Sequence, residues 1–130
     1  MSEEKDFNKR IKEFSFYKEI EVPENLIRFV KEEEKILLAI KTVRDAALIT
    51  DRKILICDKK GVTGKKVEYF TIPFKKIVTY AIETNGILDI DAELKIEVPG
   101  QSIKIKLMKG KNTELLFKIY DAVDSYMING

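Results

Sequence analysis

The stretch Ala92-Glu93-Leu94-Lys95-Ile96-Glu97-Val98-Pro99-Gly100-Gln101-Ser102-Ile103-Lys104-Ile105-Lys106-Leu107 decides the fold class. Ala92, Leu94, Ile96 and Val98 alternate with Glu93, Lys95 and Glu97, and beyond Pro99-Gly100 the residues Ile103, Ile105 and Leu107 alternate with Lys104 and Lys106. Successive side chains of a strand point to opposite faces, so this period of two makes one face apolar and the other wet. Pro99-Gly100 is a turn dipeptide, which makes the stretch an antiparallel hairpin. Its register decides whether Glu93 or Glu97 falls opposite a lysine.

Short strands with polar connections fill the chain upstream of this hairpin, the spacing expected of a sandwich or barrel. The pattern predicts strands over 36–43, 46–50, 53–57, 67–72 and about 77–83. Arg44-Asp45 and Asp51-Arg52 are tight turns, Asp58 to Gly64 is a longer polar connection, Pro73 stops a strand, and Asn85-Gly86 marks another turn. Downstream, Asn112-Thr113 offers a cap, and Leu115, Leu116, Ile119, Val123 and Met127 recur at helical spacing. Seven strands followed by one helix is the resulting order. Residues 1–34 read differently. Phe7, Ile11 and Phe14 fit the face of a short amphipathic helix, and Val22-Pro23-Glu24-Asn25 reads as the start of a second one, with Leu26, Ile27 and Val30 along one side. The expected division is therefore an N-terminal helical extension over 1–34 and a β-rich domain over 35–130.

The 130 residues suffice for one domain with its own core. Apolar residues make up 45% and charged residues 35%, a globular balance, and the formal net charge of +2 attracts neither nucleic acid nor an anionic membrane globally. Tyr69, Phe70, Phe74 and Tyr80 do not interleave with a strongly basic face, which speaks against nucleic acid as a partner. The opening Met1-Ser2-Glu3-Glu4-Lys5-Asp6 has no apolar core of a signal peptide, and no apolar run approaches a membrane span. The single Cys57 ends the apolar run Ile54-Leu55-Ile56 and reads as a packed small hydrophobe in a reducing compartment, so a cytoplasmic location is expected. Histidine is absent. Without it and with one cysteine, proton transfer near neutral pH loses its best side chain and the usual zinc sites cannot form within one chain. No enzyme and no cofactor is expected.

Three blocks in order carry a resemblance. They are Val43-Arg44-Asp45 with Ile49 to Ile56; Asp58 to Tyr69 followed by Ile72-Pro73-Phe74; and Glu83-Thr84 with Leu88 to Ile96. Over roughly residues 25–128 the chain resembles the bacterial pleckstrin-homology (PH) domain family, once catalogued as a domain of unknown function. Asp51-Arg52-Lys53 stands where the family usually has Asn-Lys-Arg, which keeps the turn and changes one charge. The resemblance implies a mainly β fold of the α+β kind, a PH-like barrel of two near-orthogonal antiparallel sheets capped by a C-terminal helix. It also implies homo-oligomeric rings, and it implies no ligand.

Candidate sites are correspondingly spare. Lipid-binding PH domains hold phosphoinositide against a long basic loop between their first two strands, whereas this chain has only Arg44-Asp45 there. The loop containing Gly61, Gly64, Lys65 and Lys66 is a weak anion-binding candidate. It is not a P-loop, because Lys59 and Lys66 stand where glycine and Ser/Thr are required. Lys104, Lys106, Lys109 and Lys111 form a stretch free of acids, while Asp89, Asp91, Glu93 and Glu97 lie just upstream. Asp89 and Asp91 flank Ile90 without calcium-loop spacing, so no metal site is assigned. Charge runs are usually solvated faces, but segregated acid and base also suit the unlike surfaces of a head-to-tail ring. Self-assembly into a scaffold or interaction module, with a protein or peptide as a further partner, is the leading expectation. A peripheral membrane module using the four lysines against anionic lipid is the alternative.

Overall fold

The structure is a computed structural model, and it describes residues 10–42, 44–61, 63, 65–84, 92–107 and 113–129. Phe7, Val43, Asn85-Gly86 and Asn112 lie outside the described residues. In chain order the strands are β1 (Arg10–Phe16), β2 (Lys18–Ile20), β3 (Ile36–Lys41), β4 (Ala46–Thr50), β5 (Lys53–Lys60), β6 (Lys66–Pro73), β7 (Thr79–Thr84), β8 (Ala92–Val98) and β9 (Gln101–Leu107). A one-turn helix, α1 (Glu24–Ile27), precedes β3, and a 17-residue helix, α2 (Thr113–Asn129), ends the described chain. Sheet A has the order β1-β9-β8-β7 and sheet B the order β2-β3-β4-β5-β6.

The deciding hairpin forms as its alternation dictates. Ala92, Leu94, Ile96, Ile103, Ile105 and Leu107 are buried in the main core between the sheets. Val98 faces Gln101, and Gly100 takes φ 79°, the left-handed position that a type II turn opened by proline requires. β7 pairs antiparallel with β8 and extends the same pattern, Tyr80 and Ile82 packing inward. Leu115, Leu116, Ile119 and Val123 of α2 complete the main core with Ala122, and Met127 packs against it, so the helix expected from the spacing of Leu115, Leu116, Ile119, Val123 and Met127 forms.

The N-terminal segment departs from expectation. The helix expected around Ile11 and Phe14 is instead β1, paired in parallel with β9 from Arg10↔Gln101 to Phe16↔Leu107. Ile11 and Phe14 fit a helical period, but Lys12, Phe14 and Phe16 also fit a period of two, and the open edge of β9 selects the strand. Phe14 and Phe16 are buried and Ile11 is 61% exposed on the outer face. Tyr17 then donates its backbone N–H to the Lys41 carbonyl, and β2 adds to β3, so residues 10–20 join both sheets rather than standing apart as a helical extension. The second expected helix survives only as α1. Leu26 is buried, whereas Ile27, expected beside it, is 47% exposed.

Sheet B is covered on both faces. Ala47, Ile49, Ile54 and Ile56 face the main core, while Ala39, Leu48, Leu55 and Cys57 form a second core on the opposite face. Over that second core lies a strap, residues 21–35, contributing Leu26 together with Val22, Phe29 and Val30. Burial on both faces explains why β4 and β5 read as unbroken apolar runs instead of alternating ones.

Because Phe16 is fully buried, Phe16→Ala is expected to lower the free energy of unfolding in urea by about 3–5 kcal/mol. A side chain on an appended helix would give a change near zero.

Candidate functional site

The segregated charges of the sequence meet on the outer face of sheet A. Glu93 stands opposite Lys106, with the carboxylate 3.9 Å from the ammonium, while Glu97 stands opposite Ser102, whose hydroxyl donates to it at 2.8 Å. Lys104 and Lys106 also approach Glu13 of β1, at 3.9 and 4.0 Å. Lys95 and Lys104 are directly opposed, which is unfavourable, and Lys95 turns the other way to Glu83 at 2.8 Å. That contact lowers the Glu83 carboxyl below its ordinary value and raises Lys95, the hydrogen bond being the main cause in both. The outer face thus carries Glu83, Glu93 and Glu97 with Lys95 on the β7–β8 side, and Lys104 and Lys106 of β9 beside Glu13 of β1. Asp89, Asp91, Lys109 and Lys111 lie outside the described residues.

The glycine–lysine loop is the bend between β5 and β6. Gly61 takes φ 77°, and its carbonyl accepts from the Arg44 guanidinium at 2.6 Å. Lys60 and Lys66 are register partners, and Lys65 and Lys66 are exposed. Lys60 turns toward Glu68 at 3.3 Å and Asp58 at 3.8 Å. Gly64 lies outside the described residues. The Arg44-Asp45 turn is tied down from both sides: Thr42 Oγ1 accepts from the backbone N–H groups of Arg44 and Asp45, and Asp45 Oδ1 accepts from the Lys59 N–H.

Open depressions mark the surface formed by the described residues, three of them beside the elements above. One, of about 580 Å³, lies where β1 meets the β3–β4 turn and β5, with Lys12, Ser15, Tyr17, Thr42 and Asp58 on its walls. The ammonium of Lys12 is 2.9 Å from Glu68 and 4.2 Å from the centre of the Phe70 ring, so it joins the edge strands β1 and β6 through an ion pair and a cation–π contact. A second groove, of about 700 Å³, runs beside α2 between Leu37, Arg52, Lys118, Asp121 and Tyr126. The third, of about 310 Å³, is an apolar cleft between β6 and the β8–β9 turn, with Phe70, Ile72, Pro73, Val98 and Ile103 around it. Among the described residues no group of three His, Cys, Asp or Glu side chains is placed to hold a metal ion. No described helix is long and apolar enough to cross a membrane. Cys57 is buried in the second core, and that burial pushes its thiol above the ordinary range.

Two polar clusters escape a reading of the sequence. Glu34 closes an acidic run that reads as solvated, yet its side chain is 5% exposed. It accepts from the Lys31 N–H at 3.0 Å and from the Thr50 hydroxyl at 2.7 Å, and its carboxylate lies 3.0 Å from the Lys53 ammonium. Lys53 also donates to the Phe29 carbonyl. Burial alone would raise the Glu34 carboxyl, but these hydrogen bonds and the lysine charge outweigh it and hold the group below its ordinary value. The other cluster joins β7 to α2. Tyr80 donates its phenolic O–H to Asp124 at 2.6 Å, which is the main reason its pKa is pushed up to about 12. No local spacing signals either cluster, since the partners are brought together by the fold.

Both clusters make predictions. Glu34 has a lowered folded pKa, so its contribution is present above the unfolded value and disappears as the pH falls through the folded one. Glu34→Gln should lose roughly 1.5–3 kcal/mol at neutral pH. Its stability curve should also be shallower below about pH 4.5, measured by urea unfolding across pH. Tyr80 behaves in the opposite sense: its contact stabilises at pH values below 10.0 and is lost as the pH climbs through about 12. In a spectrophotometric titration one tyrosine should ionise late, and Asp124→Asn should bring it back toward pH 10.

Known proteins share this fold. The bacterial PH domain family matches residues 6–127. An uncharacterised protein of Bacillus subtilis, YjqA, is 39% identical over 98 residues, covering 75% of this chain and 78% of that protein. The crystal structure of a protein with a pleckstrin-homology domain from Shewanella loihica is 32% identical, with a TM-score of 0.68 over 83% of this chain and 94% of that one. A pleckstrin-homology domain from Shewanella amazonensis is 40% identical, with a TM-score of 0.56 over 72% of this chain and 77% of that one. With this extent of match, and with two sheets closed by a C-terminal helix, the chain belongs to the bacterial PH domain family.

Proposed function

We propose that this PH-like domain is a non-catalytic interaction module that assembles with copies of itself head to tail, through the two edges of sheet A. The observation that carries the reading is that sheet A ends in two unlike strands, β1 on one side and β7 on the other. Edge strands present unpaired backbone groups to a partner. A ring needs two different, complementary surfaces on each subunit, which two unlike edges supply. Each edge also exposes an aliphatic side chain: Ile11 on β1 at 61%, and Val78 beside β7 at 66%, its N–H bonded to the Glu97 carbonyl.

The outer-face charges add a smaller support: acids predominate on the β7–β8 side, and on the β1 side Lys104 and Lys106 flank Glu13 with two positive charges to one negative, an asymmetry that steers register more than it adds affinity. The membrane reading has less support, because Lys104 and Lys106 already lie within 4.0 Å of Glu13. A buried, unpaired Cys57 suits work in the cytoplasm.

Light scattering on the native protein should give a multiple of the chain mass, and Ile11→Glu and Val78→Glu should each shift it to the monomer. Lys104→Glu combined with Lys106→Glu should weaken the assembly. A wild-type monomer, or an unchanged mass in both edge variants, overturns the proposal. Salt-sensitive co-sedimentation with anionic vesicles by a monomeric protein would transfer the function to lipid.

A further inference from the structure

We propose that residues 21–35 are a releasable strap, which lifts from sheet B as a unit while the two-sheet barrel stays folded and so uncovers the apolar outer face of β4 and β5.

The first support is the separation of the two cores. The main core lies between the sheets and is completed by α2, whereas the second core consists of Leu26 from the strap and Ala39, Leu48, Leu55 and Cys57 from sheet B. The two share no residue, so removing Leu26 from its seat leaves the packing between the sheets in place.

The second support is where the strap is fastened. Its own backbone bonds close within it: Leu26 N–H to the Pro23 carbonyl, Phe29 to Leu26, Val30 to Ile27 and Glu34 to Lys31. The polar contacts described between strap and barrel gather at its C-terminal end, on the β4–β5 turn. Thr50 and Lys53 hold Glu34, Lys53 reaches the Phe29 carbonyl, and Lys35 and Asp51 exchange two bonds of 3.0 Å. Apart from the Lys53 bond to the Phe29 carbonyl, the middle of the strap is seated by packing, through Leu26 and through the Phe29 ring, 4.6 Å from that of Tyr69. Segments held by few barrel hydrogen bonds and a small apolar contact open at a lower free energy than the whole fold. The Glu34–Lys53 pair is a latch placed where the strap rejoins β3, and the chain leaving β2 is the hinge at the other end.

Nature supplies the reporter. Cys57 is the sole cysteine of the chain and lies in the second core. While the strap is closed, the thiol is shielded; lifting the strap exposes it without breaking either sheet.

The test follows maleimide labelling of Cys57 by mass spectrometry in the full-length protein as denaturant is raised, alongside amide hydrogen exchange of β8 and β9. Labelling should proceed under native conditions with a much shallower denaturant dependence than global unfolding. Lys53→Met and Leu26→Ala should each speed it tenfold or more while exchange in β8 and β9 is unchanged. Wild-type labelling that carries the full denaturant dependence of global unfolding, or none below that transition, overturns the proposal. So does acceleration matched by equal loss of protection in β8 and β9.

Discussion

Sheet B has no wet face at its centre, and much of the remaining architecture follows from that. Leu48 and Leu55 on one side, and Ile49, Ile54 and Ile56 on the other, must all leave water, each worth about 1.5–3 kcal/mol when fully buried. One side is satisfied by sheet A and α2. The other needs a cover, and the only described elements between β2 and β3 supply it. The strap is therefore a consequence of the apolar strands beneath it, and its path fixes the chain's entry through β1 and β2. Sheet A carries no such demand on its outside, so its outer face is left to charged residues, and the contacts between copies are proposed at its two edges.

The sequence reveals most where one side of an element is wet. The hairpin from Ala92 to Leu107 shows its fold at every second residue, and α2 shows it through Leu115, Leu116, Ile119 and Val123, because solvent imposes contrast. β4 keeps its expected bounds for a different reason, its polar turns being sharp. Contrast fails for β1. Within its seven residues Ile11 and Phe14 satisfy a helical spacing and Phe14 and Phe16 a strand spacing, and the partner that decides between them lies at Gln101–Leu107. Long-range pairing overrode local pattern there, as is usual for β structure.

The functional surfaces were legible in composition and illegible in geometry. Acid and base segregate along the chain, but antiparallel pairing folds Glu93 against Lys106, so a linear separation of about a dozen residues becomes a cross-strand contact. Glu34 shows the same limit in reverse. It looks like one more solvated acid after Glu32 and Glu33, and only the arrival of Thr50 and Lys53 gives it a buried role. The resemblance to PH domains supplied the frame, while the Arg44-Asp45 turn between β3 and β4 is short and fastened to Thr42, Lys59 and Gly61.

The parallel pairing of β1 with β9 has a consequence for how the protein is made. Arg10 leaves the ribosome first and its partner Gln101 about ninety residues later, which at roughly 5–20 residues per second is a wait on the order of five to twenty seconds. During that interval Phe14 and Phe16 have no sheet to enter, while β3 to β6, whose contacts are local, can already pair. The nascent chain therefore carries an unsatisfied aromatic strand until β9 has emerged. Completion of β9 is the event that converts a partial barrel into a closed one.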